Sequence, residues 1–185
     1  SYVVDNEKLL DEYMKSYGGN GIYIPYGANK INSYNSTVLD KHGVKEQEYI
    51  IFIGRFVKEK NLEFLINNYN LLNTTIKLLI VGGNDVDLEY DKRIRSYRSD
   101  KVIFTGFVYG QDYESLLKGA LFYISCSLLE GTSPSLLSAM AINGFAVVSN
   151  ISENIETLKG SCESYESGND IDFREKMQYF LNDAG

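Results

Sequence analysis

The sequence predicts an α/β protein built on an open, doubly wound, mostly parallel sheet. Two observations predict it. Short continuous apolar runs, such as Ile50 to Ile53, Lys77 to Val81 and Val102 to Thr105, read as strands buried on both faces, the mark of a parallel sheet. Between them lie segments with apolar residues at helical spacing, such as Leu62 to Leu72. Strand–helix alternation with right-handed crossovers covers both faces of one sheet with helices, in a Rossmann-like arrangement. The 185 residues, 44% hydrophobic and 23% charged, are enough for one substantial core.

Val3-Val4 reads as a short strand, and Asp5 or Asn6 can cap a helix carrying Leu9, Leu10, Tyr13, Met14 and Tyr17. Gly18-Gly19 stops that helix, and Ile22 to Ile24 forms a second short strand. The stretch from Asn29 to Lys45 is polar and poorly periodic, so it reads as a linker with one helical turn. From Tyr49 the rhythm is regular. After the strand at Ile50 come a helix over Leu62 to Leu72, a strand over Lys77 to Val81 and a helix over Leu88 to Tyr97. A strand over Val102 to Thr105, a helix over Tyr113 to Lys118 and a strand over Leu121 to Ser125 follow. A helix opening at Ser133, a strand over Ala146 to Val148, a short helix near Glu153 and a last helix from Asp170 to Leu181 complete the order. A boundary thus falls after the polar stretch, dividing 1–45 from the sheet domain, 46–185. Because the chain enters inside a strand and leaves, at Asp183-Ala184-Gly185, inside a helix, it reads as a fragment.

Several function classes are disfavoured. A net charge of −7 argues against non-specific nucleic-acid binding, which wants a basic surface. His42 is the only histidine, so neither a histidine-based triad nor a histidine metal site is expected. Cys126 and Cys162 form no metal or redox motif and read as packing residues of a reducing, cytoplasmic compartment. No run reaches membrane-spanning length. Lys92, Arg93, Arg95, Arg98 and Lys101 form a basic cluster, usually a solvated face and less often a contact with an anionic membrane or a phosphorylated partner. The full dinucleotide fingerprint is missing, which disfavours NAD.

In such a fold the site lies at the carboxyl ends of the strands. The loop and helix from Leu128 to Ala141 organise that end. Ser133 can cap the helix, Pro134 suits its first turn, and Gly144 stops it. A helix N-terminus offers free N–H groups and partial positive charge to a phosphate. Glu130 does not suit a phosphate and points instead to neutral hydroxyls nearby, so the pairing suggests a sugar carried on a diphosphate. Arg55, Lys58 and Lys60 follow a buried strand. Arg55 and Lys60 could converge on a pyrophosphate; spacing alone fits a solvated loop equally well, and position at the strand end favours the phosphate. Gly82-Gly83 and Gly106-Phe107-Val108 end the next strands, either as plain turns or as backbone and apolar surface for a base.

Taken together these residues resemble the carboxyl-terminal, donor-binding domain of group 1 glycosyltransferases of the GT-B fold. The resemblance rests on Ile53-Gly54-Arg55-Phe56 with Glu59-Lys60-Asn61, Leu79-Ile80-Val81-Gly82, Val102 to Gly106, and Glu130-Gly131 leading to Ala139-Met140-Ala141. Ile24 to Ala28 is similar to the segment preceding the second domain, and Gly131 to Leu137 looks like bacterial polysaccharide rhamnosyltransferases. The resemblance implies a retaining, metal-independent sugar transfer from a nucleoside-diphosphate sugar, with no other cofactor, to a glycan or lipid-linked acceptor bound by an N-terminal domain. It assigns catalytic roles to Arg55, Lys60 and Glu130. Gly54, Gly82, Phe107, Val108, Gly131, Thr132, Ser133, Ser135, Leu136 and Ser138 complete the expected binding set. Ser138 stands where the family's second glutamate grips the ribose; it is shorter and uncharged. The resemblance also implies that 1–45 is the tail of a preceding domain plus linker, and it implies work at the inner face of a membrane. A decayed, non-catalytic binding module and a nucleotide-sugar epimerase on the same fold are the alternatives.

Overall fold

The computed structural model describes residues 1–31, 34–142 and 144–183. Asn32 and Ser33 of the expected linker, and Ala184 and Gly185 at the end of the last helix, lie outside the described residues.

Among the described residues there are two sheets, and every strand pair is parallel. The small sheet pairs β1 (Tyr2–Val4) with β2 (Gly21–Tyr23), joined by α1 (Glu7–Tyr17). Of the two candidate caps Asn6 is the one used, its Oδ1 accepting from the Leu9 N–H at 3.0 Å. The large sheet has six strands, β3 (Tyr49–Ile53), β4 (Lys77–Val81), β5 (Val102–Gly106), β6 (Tyr123–Ser125), β7 (Ala146–Ser149) and β8 (Glu163–Tyr165). Their order is β5-β4-β3-β6-β7-β8. The chain therefore builds outward from β3 to one edge, returns, and builds outward from β6 to the other. The reversal falls between β3 and β6, where the two departing loops must diverge and leave a crevice.

Alternation along the strands divides the core into two layers. Ile50 and Phe52 face a cluster with Leu62, Leu65 and Ile66 of α3 (Leu62–Asn70), Tyr90 and Ile94 of α4 (Leu88–Arg95), and Phe173 and Met177 of α8 (Asp170–Asp183). Tyr49 and Ile51 face the other cluster, with Leu116 and Leu117 of α5 (Gly110–Gly119), Leu136 and Ala139 of α6 (Pro134–Ala141), and Leu158 of α7 (Ser152–Leu158). Cys126 is buried in the first layer; burial pushes its thiol up to about 12, with the Tyr165 hydroxyl pulling the other way. No helix among the described residues is long and apolar enough to cross a membrane.

Two departures from the sequence reading have physical causes. The expected linker contains α2 (Thr37–Lys41), and Val38, Leu39 and Val44 are buried with Tyr49 and Leu116. A five-residue helix is too short to show a period, so its apolar pair reads as noise. The strand β8 went unseen because its sequence, Glu-Ser-Tyr, is polar; as an edge strand it pairs only with β7. The basic cluster is largely a solvated face, with Lys92, Arg93 and Arg98 exposed and Arg95 and Lys101 half-buried, and its side chains find local partners. Arg93 pairs with Glu63 at 3.0 Å, Arg98 donates to Phe104 O at 2.9 Å, and Lys101 donates to Leu72 O at 2.6 Å.

A true linker would tolerate truncation of its side chains. Leu39→Ala is instead expected to cost about 2–5 kcal/mol of stability, as core leucines do. Denaturant unfolding checks this, and a loss under about 0.5 kcal/mol would return the segment to the surface.

Candidate functional site

The loops after β3, β4 and β5 enclose a cleft of about 420 Å³ lined by Ile53, Gly54, Arg55, Val81, Gly82, Phe107, Val108, Tyr109, Gly110 and Tyr113. Backbone pairing continues past the strands and holds these loops together. Gly54 N–H donates to Val81 O at 3.0 Å, and Gly82 N–H donates to Gly106 O at 2.9 Å. The close approach demands glycine. A Cβ on Gly82 would sit 1.9 Å from the Gly54 carbonyl oxygen, and its φ of +134° is hostile to any side chain. The wall is apolar and aromatic. The exposed rings of Phe107 and Tyr109 lie nearly parallel, 8° apart with centroids at 6.3 Å, a surface suited to a flat heterocycle. Arg55, at the rim, is exposed, and its guanidinium makes no ion pair or hydrogen bond among the described residues.

Beside the cleft, at the strand reversal, the loops after β3 and β6 are joined directly. The first carries a 3₁₀ turn, Lys58–Lys60. Leu128 N–H donates to Glu59 O at 2.8 Å, and Lys60 Nζ forms an ion pair with Glu130 Oε1. The pair is sheltered, with side chains 18% and 9% exposed. Ser127 Oγ donates to the same oxygen at 2.7 Å. Both donors thus converge on Oε1, and Oε2 has no partner among the described residues. An acceptor-only oxygen beside a crevice can receive ligand hydroxyls. The stem of Lys60 runs close behind the cleft, since its Cε lies 3.7 Å from where a Cβ on Gly54 would stand.

The helix α6 opens next to Glu130. Ser133 caps it, its Oγ accepting from Leu136 N–H at 3.4 Å, and Pro134 occupies the first turn. No hydrogen bond is made by the N–H groups of Gly131, Thr132, Ser133 and Ser135 among the described residues, and a helix N-terminus with free N–H groups carries the partial positive charge that suits an anion. Tyr123 lies beneath. Burial and then the Glu130 carboxylate push its phenol up, against a hydrogen bond with Ser133.

The predicted residues divide into groups. Gly54, Arg55, Gly82, Phe107 and Val108 share the cleft, and Lys60 and Glu130 meet beside it. Three are differently occupied. The Leu136 side chain is fully buried and its N–H is capped, so it offers a ligand nothing directly. The Thr132 hydroxyl donates to Asp5 O at 2.9 Å, fastening the small sheet. The Ser138 hydroxyl donates to Pro134 O at 2.9 Å within its own helix. Burial pushes the Tyr113 phenol up, with Ser138 pulling the other way. Tyr113 was missed by sequence reasoning. It lines the cleft from the first turns of α5, and only its place near the start of a βα helix could have signalled this. Tyr109 and Ser127 were likewise missed as side chains, although their loops were named.

A family model described as group 1 glycosyl transferases matches residues 37–184. The capsular polysaccharide biosynthesis glycosyltransferase CapH of Staphylococcus aureus is 30% identical over 132 residues, 68% of this chain and 37% of CapH. An uncharacterised glycosyltransferase of Methanocaldococcus jannaschii is 34% identical over 125 residues, 63% of this chain and 31% of its own length. The chain thus spans about a third of the curated relatives it matches. Among solved structures, Anabaena HepE in complex with UDP and glucose superposes with a TM-score of 0.85 over 98% of this chain and 53% of its own, at 14% identity.

The glycine contact generates a prediction. Gly82→Ala must move the Gly54 carbonyl and is expected to destabilise the fold by about 2 kcal/mol or more. Thermal unfolding checks it, and an unchanged melting temperature would refute the close approach.

Proposed function

The chain belongs to the group 1 glycosyl transferases, and on that premise we propose that it is the donor-binding half of a retaining glycosyltransferase. The donor is a nucleoside-diphosphate sugar, a hexose or a deoxyhexose such as rhamnose. The acceptor is a glycan or lipid-linked glycan of a bacterial surface polysaccharide, handled on the cytoplasmic side by a further domain. The observation that carries this reading is the Lys60–Glu130 pair closing the strand reversal, next to an aromatic cleft with Arg55 unpaired at its rim. CapH, named for capsular polysaccharide biosynthesis, and HepE, solved with UDP and glucose, support the same direction.

The parts have distinct duties. The Phe107, Val108 and Tyr109 wall receives the base. Arg55, Lys60 and the free amides opening α6 face the diphosphate, whose negative charge grows as the bond to the sugar breaks. Preplaced donors in a sheltered site are effective there, because they need no reorganisation as charge develops. Lys60 is already paired with Glu130, so the diphosphate shares it or draws it across. Glu130 Oε2 accepts from the sugar hydroxyls and fixes the ring for attack. The alternative of a decayed binding module draws on Ser138, whose hydroxyl is spent on Pro134 O.

Thermal shift with UDP-glucose, GDP-mannose and dTDP-glucose tests the reading, because a ligand that binds only the folded state raises the melting temperature. At least one is expected to do so, and no shift with any of them would favour the decayed module. Arg55→Ala is expected to weaken nucleoside-diphosphate binding about tenfold or more, the scale of a charge-assisted hydrogen bond, while leaving free nucleoside within about twofold. Calorimetry checks this; equal losses would remove Arg55 from the diphosphate.

A further inference from the structure

Beneath Glu130 runs a line of buried polar groups to which the proposed transfer assigns no part. Ser125, Ser127, Ser149 and Asn154 are all 0–2% exposed. Asn154 Nδ2 donates to Ser149 O and Oγ at 3.0 and 3.1 Å, and Ser149 Oγ donates to Ser127 O at 2.6 Å. Ser125 Oγ and Ser127 Oγ are 3.2 Å apart. The next N–H along, that of Leu128, is held by Glu59 O at 2.8 Å. Ser127 is therefore clamped on both sides of its backbone by two different elements, β7 with α7 and the loop after β3.

A serine has one proton to give and two lone pairs to offer. Ser127 gives its proton to Glu130 Oε1 at 2.7 Å, so the contact with Ser125 is one that Ser127 accepts. A neutral hydroxyl with no water access thus carries a charge-assisted bond to the carboxylate that Lys60 also holds. We infer that Ser127 is a positioning residue for sugar transfer, holding the Glu130 carboxylate so that Oε2 stays on the crevice side when the diphosphate draws Lys60 away. The inference rests on the donor reading above. Without Ser127, Glu130 has Lys60 as its one side-chain partner among the described residues, and the ligand competes for that partner. With it, the carboxylate keeps a fixed donor in both states.

The test compares each bare nucleoside diphosphate with its sugar conjugate: UDP with UDP-glucose, GDP with GDP-mannose, dTDP with dTDP-glucose. Ser127→Ala is expected to weaken the conjugate about tenfold and the bare diphosphate less than about twofold, since only the conjugate meets Glu130. In a Glu130→Gln background the same substitution is expected to cost less than about twofold, because its effect passes through the carboxylate. A residue that merely filled space would weaken both ligands alike, in either background, and that result overturns the inference while leaving the donor reading intact. Failure of the unsubstituted chain to bind any of the six ligands overturns both. Should Ser127→Ala fail to fold, Ser127→Cys, with a weaker donor in the same place, carries the comparison, and an equal loss for both ligands again overturns the inference.

Discussion

The site depends on one topological constraint: β3 and β6 lie side by side but send their loops apart. A parallel sheet wound in two directions from its centre has no ladder to close this gap, so side chains must do most of it. Here a lysine and a glutamate close it, with Leu128 N–H on Glu59 O as the one backbone stitch. The cleft after β3, β4 and β5 and the open end of α6 stand on either side of that closure. Removing the reversal would leave the same residues on separated surfaces.

The ion pair is also the costliest feature of the site. Charges withdrawn from water lose solvation that mutual attraction recovers only when geometry and hydrogen bonding are good. Glu130 meets that condition on one oxygen, which takes both Lys60 and Ser127. Its second oxygen is held in reserve. In this group 1 glycosyl transferase domain the arrangement keeps a cation and an anion together in a sheltered place.

The strands, most helices, the Ser133 cap and the strand-end loops were legible in the sequence because period and capping chemistry are local. The Lys60–Glu130 pairing was not, since the partners are 70 residues apart and each alone reads as a separate ligand group. The burial of Val38 and Leu39 was hidden for a related reason. A single turn of helix carries no rhythm, and only the neighbouring α5 face and Tyr49 give its apolar pair a purpose. Leu136 was named in the binding set, and its apolar side chain is taken up by the core. Ser138 was read as free to meet a ligand; its own helix offered an acceptor first.

The attachment of the small sheet has a mechanical side. Asp5 O receives the Thr132 hydroxyl, and Asn6, on the same short run, donates to Glu156 Oε2 at 3.0 Å. Thr132 stands two places along the chain from Glu130. The β1–α1–β2 unit is thus a handle fitted to the loop that carries the carboxylate. A displacement of that handle would pull on the Glu130 loop through Thr132 and on α7 through Glu156.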